Sequence, residues 1–310
     1  MPNKKILIAD KLHPLFKEEA EKLGFIVDDF SEITRQETLS ILHEYTGIAI
    51  RTKFNIDKEI MDAGDNLKFI ARAGAGMDNI DVDYAANKGI ACINAPEGNR
   101  AAVAEHAIGM LLSLMNHLKK SDIEIRNGIW DREGNRGFEL KGKTVGIIGY
   151  GYMGKSFAKR LKSFEVNVIA FDKYKSGFSD DYANEVSMEQ IVKHSDILSL
   201  HIPLKRETYQ LVDDEYLLHF KKPIFFLNTA RGEIVNTQAV LKAVKAGKIL
   251  GAGLDVLEIE KFPDLEQQPW FNELVAENRI ILSPHVAGWT IESYRKISEV
   301  LVEKLKMLPI

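Results

Sequence analysis

The sequence predicts an α/β protein built from two parallel-sheet halves, and three observations lead there. Short apolar runs alternate with helical patterns along almost the whole chain, as they do where helices cover both faces of a parallel sheet. The 310 residues suit two domains of roughly 100 to 200 residues each. The run VGIIGYGYMG, Val145 to Gly154, carries an apolar strand straight into Gly149-x-Gly151-x-x-Gly154, and a second apolar run, VIAFD, ends at Asp172.

In chain order, the first half offers five strands: KILIA from Lys5, FIVDD from Phe25, GIAIR from Gly47, LKFIA from Leu67 and IACIN from Ile90. NAPEGNR, from Asn94 to Arg100, holds a proline, a glycine and two asparagines and is read as a linker. A helix follows from about Ala101 to Arg126, with Gly128 suited to a left-handed position after its end. The second half offers six strands, VGIIG, NVIAF, ILSLH, IFFLN, GLDV and IILS, ending near Gly149, Phe171, His201, Asn228, Val256 and Ser283; six parallel strands complete a doubly wound sheet. Beyond Ser283 a last helix places Ile297, Val300, Leu301 and Leu305 on one face, and that stripe needs a core. It is expected to return to the first half. The expected domains are therefore 1–97 with 290–310, and 98–289.

The glycine turn has a physical reading residue by residue. Gly149 permits the tight turn off the strand, Gly151 lets the backbone approach a pyrophosphate, and Gly154 lets the new helix sit close on the sheet. The phosphates then meet N–H groups at a helix N-terminus. Asp172 can accept from both ribose hydroxyls and repels a 2′-phosphate, so NAD is expected rather than NADP. The second half is thus a Rossmann-type nucleotide-binding domain.

Ligands of open α/β sheets bind beyond the carboxyl ends of the strands. Arg231 follows IFFLN, Glu260 lies beyond GLDV, and His285 follows the last strand. A guanidinium can grip a carboxylate with two parallel bonds, a histidine suits proton transfer near neutrality, and a neighbouring carboxylate fixes its tautomer. Cations also follow strands of the first half: Arg51 with Lys53, and Arg72. Arg132 stands after Trp130. They are suitable partners for a phosphate.

Composition excludes several classes. A hydrophobic content of 45% and charged content of 28% are ordinary for a globular protein, and a net charge of -4 leaves no footprint for nucleic acid or an anionic membrane. The single cysteine, Cys92, allows no disulfide, and the eight histidines show no metal-ligand spacing, so no metal is expected. MPNKKILIAD is no signal peptide, and the longest nearly apolar stretch, Ile108 to Met115, is too short to span a bilayer. A cytoplasmic enzyme is expected.

These residues carry a family resemblance over nearly the full length. The blocks RAGAGMDNID (Arg72 to Asp81), GYGYMG, LHIPL (Leu200 to Leu204), NTARG (Asn228 to Gly232), GLDVLEIE (Gly253 to Glu260) and SPHVAG (Ser283 to Gly288) resemble the D-isomer-specific 2-hydroxyacid dehydrogenases, and among them the short phosphoglycerate dehydrogenases without a C-terminal regulatory domain. The resemblance implies a flavodoxin-like substrate domain beside the Rossmann-type one, with a cleft between them. It implies Arg231 as the substrate-orienting arginine, Glu260 as the partner of the histidine and His285 as the general acid/base. It implies cofactor contacts at Tyr152, Met153, Asp172, Ile202, Thr229, Ala230, Arg231, Asp255 near the carboxamide, and His285 to Gly288, including Ala287. Arg51, Ala75 and Gly76 match substrate-binding positions, and Arg132 a position that reaches a neighbouring subunit, so a homodimer through the nucleotide-binding domain is implied.

The expected reaction is NAD-dependent interconversion of 3-phosphoglycerate and 3-phosphohydroxypyruvate, in serine biosynthesis. The alternatives are a reductase of glyoxylate, hydroxypyruvate or pyruvate, and an NAD-sensing corepressor that keeps the same trio. Two departures stand out: Lys261-Phe262 follows Glu260 where many relatives have proline, and Trp289 follows HVAG where small residues are common.

Overall fold

The computed structural model describes residues 4–309; Met1 to Asn3, the start of the segment read as no signal peptide, lie outside it, as does Ile310. The chain divides into two compact units, residues up to Arg100 with Trp289 onward, and Ala101–Gly288.

The first unit holds β1 (Lys5–Ile8), β2 (Ile26–Asp29), β3 (Gly47–Ile50), β4 (Phe69–Arg72) and β5 (Ala91–Asn94), all parallel in the order β2-β1-β3-β4-β5. That is the flavodoxin-like order. Alternation along the strands feeds two cores. Ile6, Ile8, Phe69 and Ala71 pack with Phe16 and Ala20 on one side, and Leu7, Ile48, Ile50 and Ile70 pack with Ile60 and Met61 on the other. The helix Ile291–Lys306 closes the first of these cores with Ile297, Leu301, Val302 and Leu305, while Val300 is only partly buried. Each such side chain contributes about 2 kcal/mol by leaving water. Lys304 then ties the helix end to the Asn94 carbonyl at 2.8 Å and to Glu97 at 2.9 Å.

The segment expected as a linker is not one. A helix begins inside it, at Pro96, and runs to Met115. Proline suits the first helical position because its fixed φ is already helical and its missing N–H would find no partner there. Gly98 serves packing rather than flexibility: a Cβ there would stand 2.7 Å from the Ile297 backbone. The single long helix expected to Arg126 is also two helices. His117 adopts a left-handed conformation at φ 52°, and Leu118–Arg126 follows. The break has a tertiary cause, since the returning chain donates the Phe138 N–H to the Met115 carbonyl at 2.8 Å. Gly128 takes φ 76°, as a residue after a helix end often does.

The second unit has seven parallel strands rather than the six expected: β6 (Thr144–Ile148), β7 (Asn167–Phe171), β8 (Asn184–Glu185), β9 (Ile197–Leu200), β10 (Ile224–Asn228), β11 (Ile249–Leu254) and β12 (Ile280–Leu282). The extra strand is β8, two polar residues at the sheet edge. The order β12-β11-β10-β9-β6-β7-β8 reverses between β6 and β9, and ligands of such sheets bind at that switch point. Among the described residues no helix is long and apolar enough to cross a membrane, and no cluster of potential metal ligands occurs.

The two glycines of the helix Pro96–Met115 should respond oppositely to a methyl group. Gly98→Ala should lower the thermal midpoint by several degrees through overpacking, while Gly109→Ala, with open space around it, should leave it unchanged or raise it. Thermal unfolding followed by circular dichroism checks both.

Candidate active site

The three glycines after β6 divide by what surrounds them. Gly149 has φ 92°, and a Cβ on it would lie 2.4 Å from the His201 carbonyl oxygen; a Cβ on Gly154 would lie 2.1 Å from the Gly149 carbonyl oxygen. Both are required by the fold. A Cβ on Gly151 would meet nothing within 4 Å, so its bareness serves something other than packing. Gly151 also begins the helix Tyr152–Leu161 without a side-chain cap, which leaves the first-turn N–H groups available to an anion.

Asp172 stands just past β7 with its carboxylate turned to this loop: it accepts the Tyr150 N–H at 2.9 Å and the Tyr174 N–H at 3.0 Å. Remaining lone pairs can accept hydroxyls. Ile202, past β9, packs against the same turn, and Tyr152 and Met153 form the first turn of the helix. His201 is no acid catalyst, because burial pushes its imidazole down to about 4 and Ser199 Oγ meets its Nε2 at 2.9 Å.

The loop after β10 is held by Asn228, which is fully buried. Its side chain accepts the Ala230 N–H at 3.0 Å and donates to the Arg231 carbonyl at 2.9 Å. Gly232 then sits so close to the Leu257 carbonyl that a Cβ would fall 1.8 Å from it, which packs this turn against the loop that leads to Glu260. Thr229 Oγ1 is buried with no hydrogen-bond partner among the described residues.

Asp255, just past β11 and 1% exposed, accepts from Ser283 Oγ at 2.5 Å, from the Val286 N–H at 2.9 Å and from the Ala287 N–H at 2.9 Å; its carbonyl accepts the His285 N–H at 2.7 Å. The loop after β12 is thereby wrapped around a carboxylate. Within it His285 is held at φ 53°, a conformation uncommon for a residue other than glycine. Its Nδ1 lies 2.9 Å from Glu260 Oε2, so a proton on Nδ1 leaves Nε2 for a substrate. Arg231, Glu260 and His285 thus stand on the loops that follow three adjacent strands, β10, β11 and β12, and two of the trio are in contact. Proline comes three positions after Glu260, in the cis bond Phe262-Pro263.

Sequence reasoning missed two supports. His106, on the helix Pro96–Met115, brings Nε2 to 2.9 Å from Ser283 Oγ, and nothing in its apolar context signals this. Asn228 had a signal: a polar residue closing the apolar run IFFLN. Arg132 is exposed in the turn begun by Asp131, with no hydrogen-bond or ion-pair partner among the described residues.

In the first unit, Asp10 Oδ2 accepts the N–H groups of Arg51, Thr52 and Lys53 at 3.1, 2.9 and 3.0 Å, fixing the loop after β3. The Arg51 guanidinium lies 3.7 Å above the Trp289 ring; burial lowers its pKa, while Asp10 acts the other way. Lys53 Nζ donates to the Ser31 carbonyl at 2.6 Å. After β4, Arg72 folds back so that its Nη1 fills the place of a Gly74 side chain, and the Ala75 carbonyl next to Gly76 accepts from Asn94 Nδ2 at 2.6 Å.

A model of the D-isomer specific 2-hydroxyacid dehydrogenase NAD binding domain matches residues 108–287. The chain belongs to this family. It is 34% identical over 307 residues to a D-3-phosphoglycerate dehydrogenase of Archaeoglobus fulgidus, covering 97% of this chain but 56% of that protein. It is 35% identical over 273 residues to a hydroxypyruvate reductase of Thermotoga maritima, covering 88% of each. The crystal structure of a glyoxylate reductase from Paecilomyes thermophila superposes with a TM-score of 0.87 at 28% identity, covering 99% of this chain and 95% of that one. The chain therefore spans little more than half of the phosphoglycerate dehydrogenases it matches and most of the reductases.

The family's cofactor, NAD, fits what the second unit offers: open space at Gly151, uncapped N–H groups behind it, an oriented Asp172 and an unsatisfied Thr229 hydroxyl. Gly151→Val should raise the Kd for NADH at least tenfold with an unchanged thermal midpoint, because its side chain enters ligand space. Gly154→Val should instead lower the midpoint. Fluorescence titration and thermal unfolding separate the two.

Proposed function

We propose that this chain is an NAD-dependent dehydrogenase of a D-2-hydroxy acid, and that its acid is 3-phosphoglycerate, oxidised reversibly to 3-phosphohydroxypyruvate. The observation that carries the reaction type is the His285–Glu260 pair at 2.9 Å, set on strand-end loops of a nucleotide-binding sheet. Bound NAD supplies the hydride acceptor for oxidation and, reduced, the donor for the reverse. Arg231 grips the substrate carboxylate through its planar fork, which fixes the orientation of the 2-carbon. His285 Nε2 takes the proton of the 2-hydroxyl during oxidation and returns it to the carbonyl oxygen during reduction. Glu260 holds the ring and balances the charge that the ring acquires. Asp255 keeps the backbone of the histidine loop fixed through the cycle.

Phosphate is favoured by the Arg51 guanidinium, half-buried and without a hydrogen-bond acceptor of its own, with Lys53 two residues on. Such a product feeds serine synthesis in the cytoplasm. A second reading, reduction of hydroxypyruvate or glyoxylate, is favoured by the engagement of Lys53 with Ser31 and by the folded-back Arg72, which leave fewer cations for a phosphate. A homodimer through the second unit is favoured by exposed Leu118, Ile125, Ile129 and Trp130, the last 80% exposed.

With NADH, phosphohydroxypyruvate should be reduced with a kcat/KM at least tenfold above that of hydroxypyruvate, and equal values remove the phosphate reading. His285→Ala should lower kcat by about 10²- to 10⁴-fold while NADH binding stays within a few-fold. NADH binding by the wild type without turnover of any 2-keto acid would sink the enzyme reading in favour of a sensor. Analytical ultracentrifugation should give twice the 35.0 kDa chain mass, and a value near 35.0 kDa excludes the dimer.

A further inference from the structure

Trp289 is one of the two departures noted in the sequence, and its surroundings in the first unit assign it work. Four side chains form a chain of ring contacts there. His13, whose Nδ1 accepts the Leu15 N–H at 3.2 Å, meets the Tyr294 ring edge-on at 5.3 Å. Tyr294 meets Trp289 edge-on at 5.2 Å. The face of Trp289 then carries the Arg51 guanidinium at 3.7 Å.

The arginine is fixed at both ends. Asp10 gathers the backbone N–H groups of residues 51–53, and the indole takes the far end of the side chain. Among the described residues, no hydrogen bond or ion pair reaches the guanidinium itself. Stacking engages only its face and uses none of its five in-plane N–H donors. The recess it shares with Trp289 is lined further by Leu12, Ala73, Ile297 and Ser298. Ser298 is 1% exposed, and its hydroxyl also lacks a partner among the described residues. The guanidinium is half-buried and reaches the surface with its in-plane N–H donors unused, so it is this open edge, and not the filled recess beneath it, that can meet a ligand's oxygens.

We infer that Trp289 is a positioning residue that sets substrate specificity: its indole holds the Arg51 guanidinium in one plane, with the N–H edge free for a distal phosphate. This rests on the phosphate reading above. A flexible arginine loses rotamer freedom on gripping an anion; one already stacked has lost it beforehand. Trp289 therefore acts on phosphorylated substrates and much less on those without a distal anion.

The test compares kcat/KM for phosphohydroxypyruvate and hydroxypyruvate in wild type, Trp289→Leu and Trp289→Phe, each checked by thermal unfolding. Leucine keeps bulk without a π face, and phenylalanine keeps the face. Wild type should prefer the phosphorylated acid. Trp289→Leu should cut that preference about tenfold, mostly through KM, and Trp289→Phe should retain it within about threefold. An unchanged preference in Trp289→Leu overturns the inference and leaves the phosphate reading standing, and equal loss in both variants overturns the stacking role. No preference in the wild type overturns the phosphate reading and this inference with it.

Discussion

The buried carboxylate of Asp255 is the constraint on which the strand-end loops of the second unit depend. A charge at 1% exposure is tolerable only if its oxygens are met, and here they are met by one hydroxyl and two backbone N–H groups of the loop that carries His285. The cost of burying the charge is recovered only while that loop keeps its shape. The shape includes a left-handed histidine, which a free loop would abandon. Asp255 thus fixes the strand-end loop that carries His285, the residue proposed above as the acid/base group, and Glu260 meets its ring at 2.9 Å.

The same device recurs beyond other strands. Asp10, after β1, gathers the amides of the loop after β3, and Asp172, after β7, takes an amide from the turn after β6. In each case an aspartate past one strand organises the loop past a neighbouring strand. Parallel sheets make this possible because all their carboxyl ends lie on one edge.

Much of this was legible in the sequence, for physical reasons that also explain the failures. The five strands of the first unit and six of the second are apolar runs bounded by turn residues, and such runs have few alternatives to a buried strand. β8 was illegible because two polar residues at an edge bury nothing. Pro96 and Gly98 read as a linker because composition alone does not separate a proline that starts a helix, or a glycine pressed against Ile297, from the same residues in a loop. The break at His117 left no trace, since its cause is a carbonyl claimed by a segment some twenty residues away. Glu260 and His285 were readable from residue type and position after strands. The hold of Asp255 on the histidine loop was not, because an aspartate beyond a strand looks the same whether it faces a ligand or a neighbouring loop.

The amide shells around these carboxylates also shape the field that an approaching molecule meets. Asp10, Asp172 and Asp255 each sit among inward-pointing N–H dipoles, which offset their negative charge locally. Arg51, stacked on a neutral ring, makes no ion pair among the described residues. A chain with a formal net charge of -4 can therefore present positive potential at a strand edge while repelling anions elsewhere. On the phosphate reading proposed above, encounter with a multiply charged acid is governed by that local potential, and added salt slows capture even though protein and ligand carry the same overall sign.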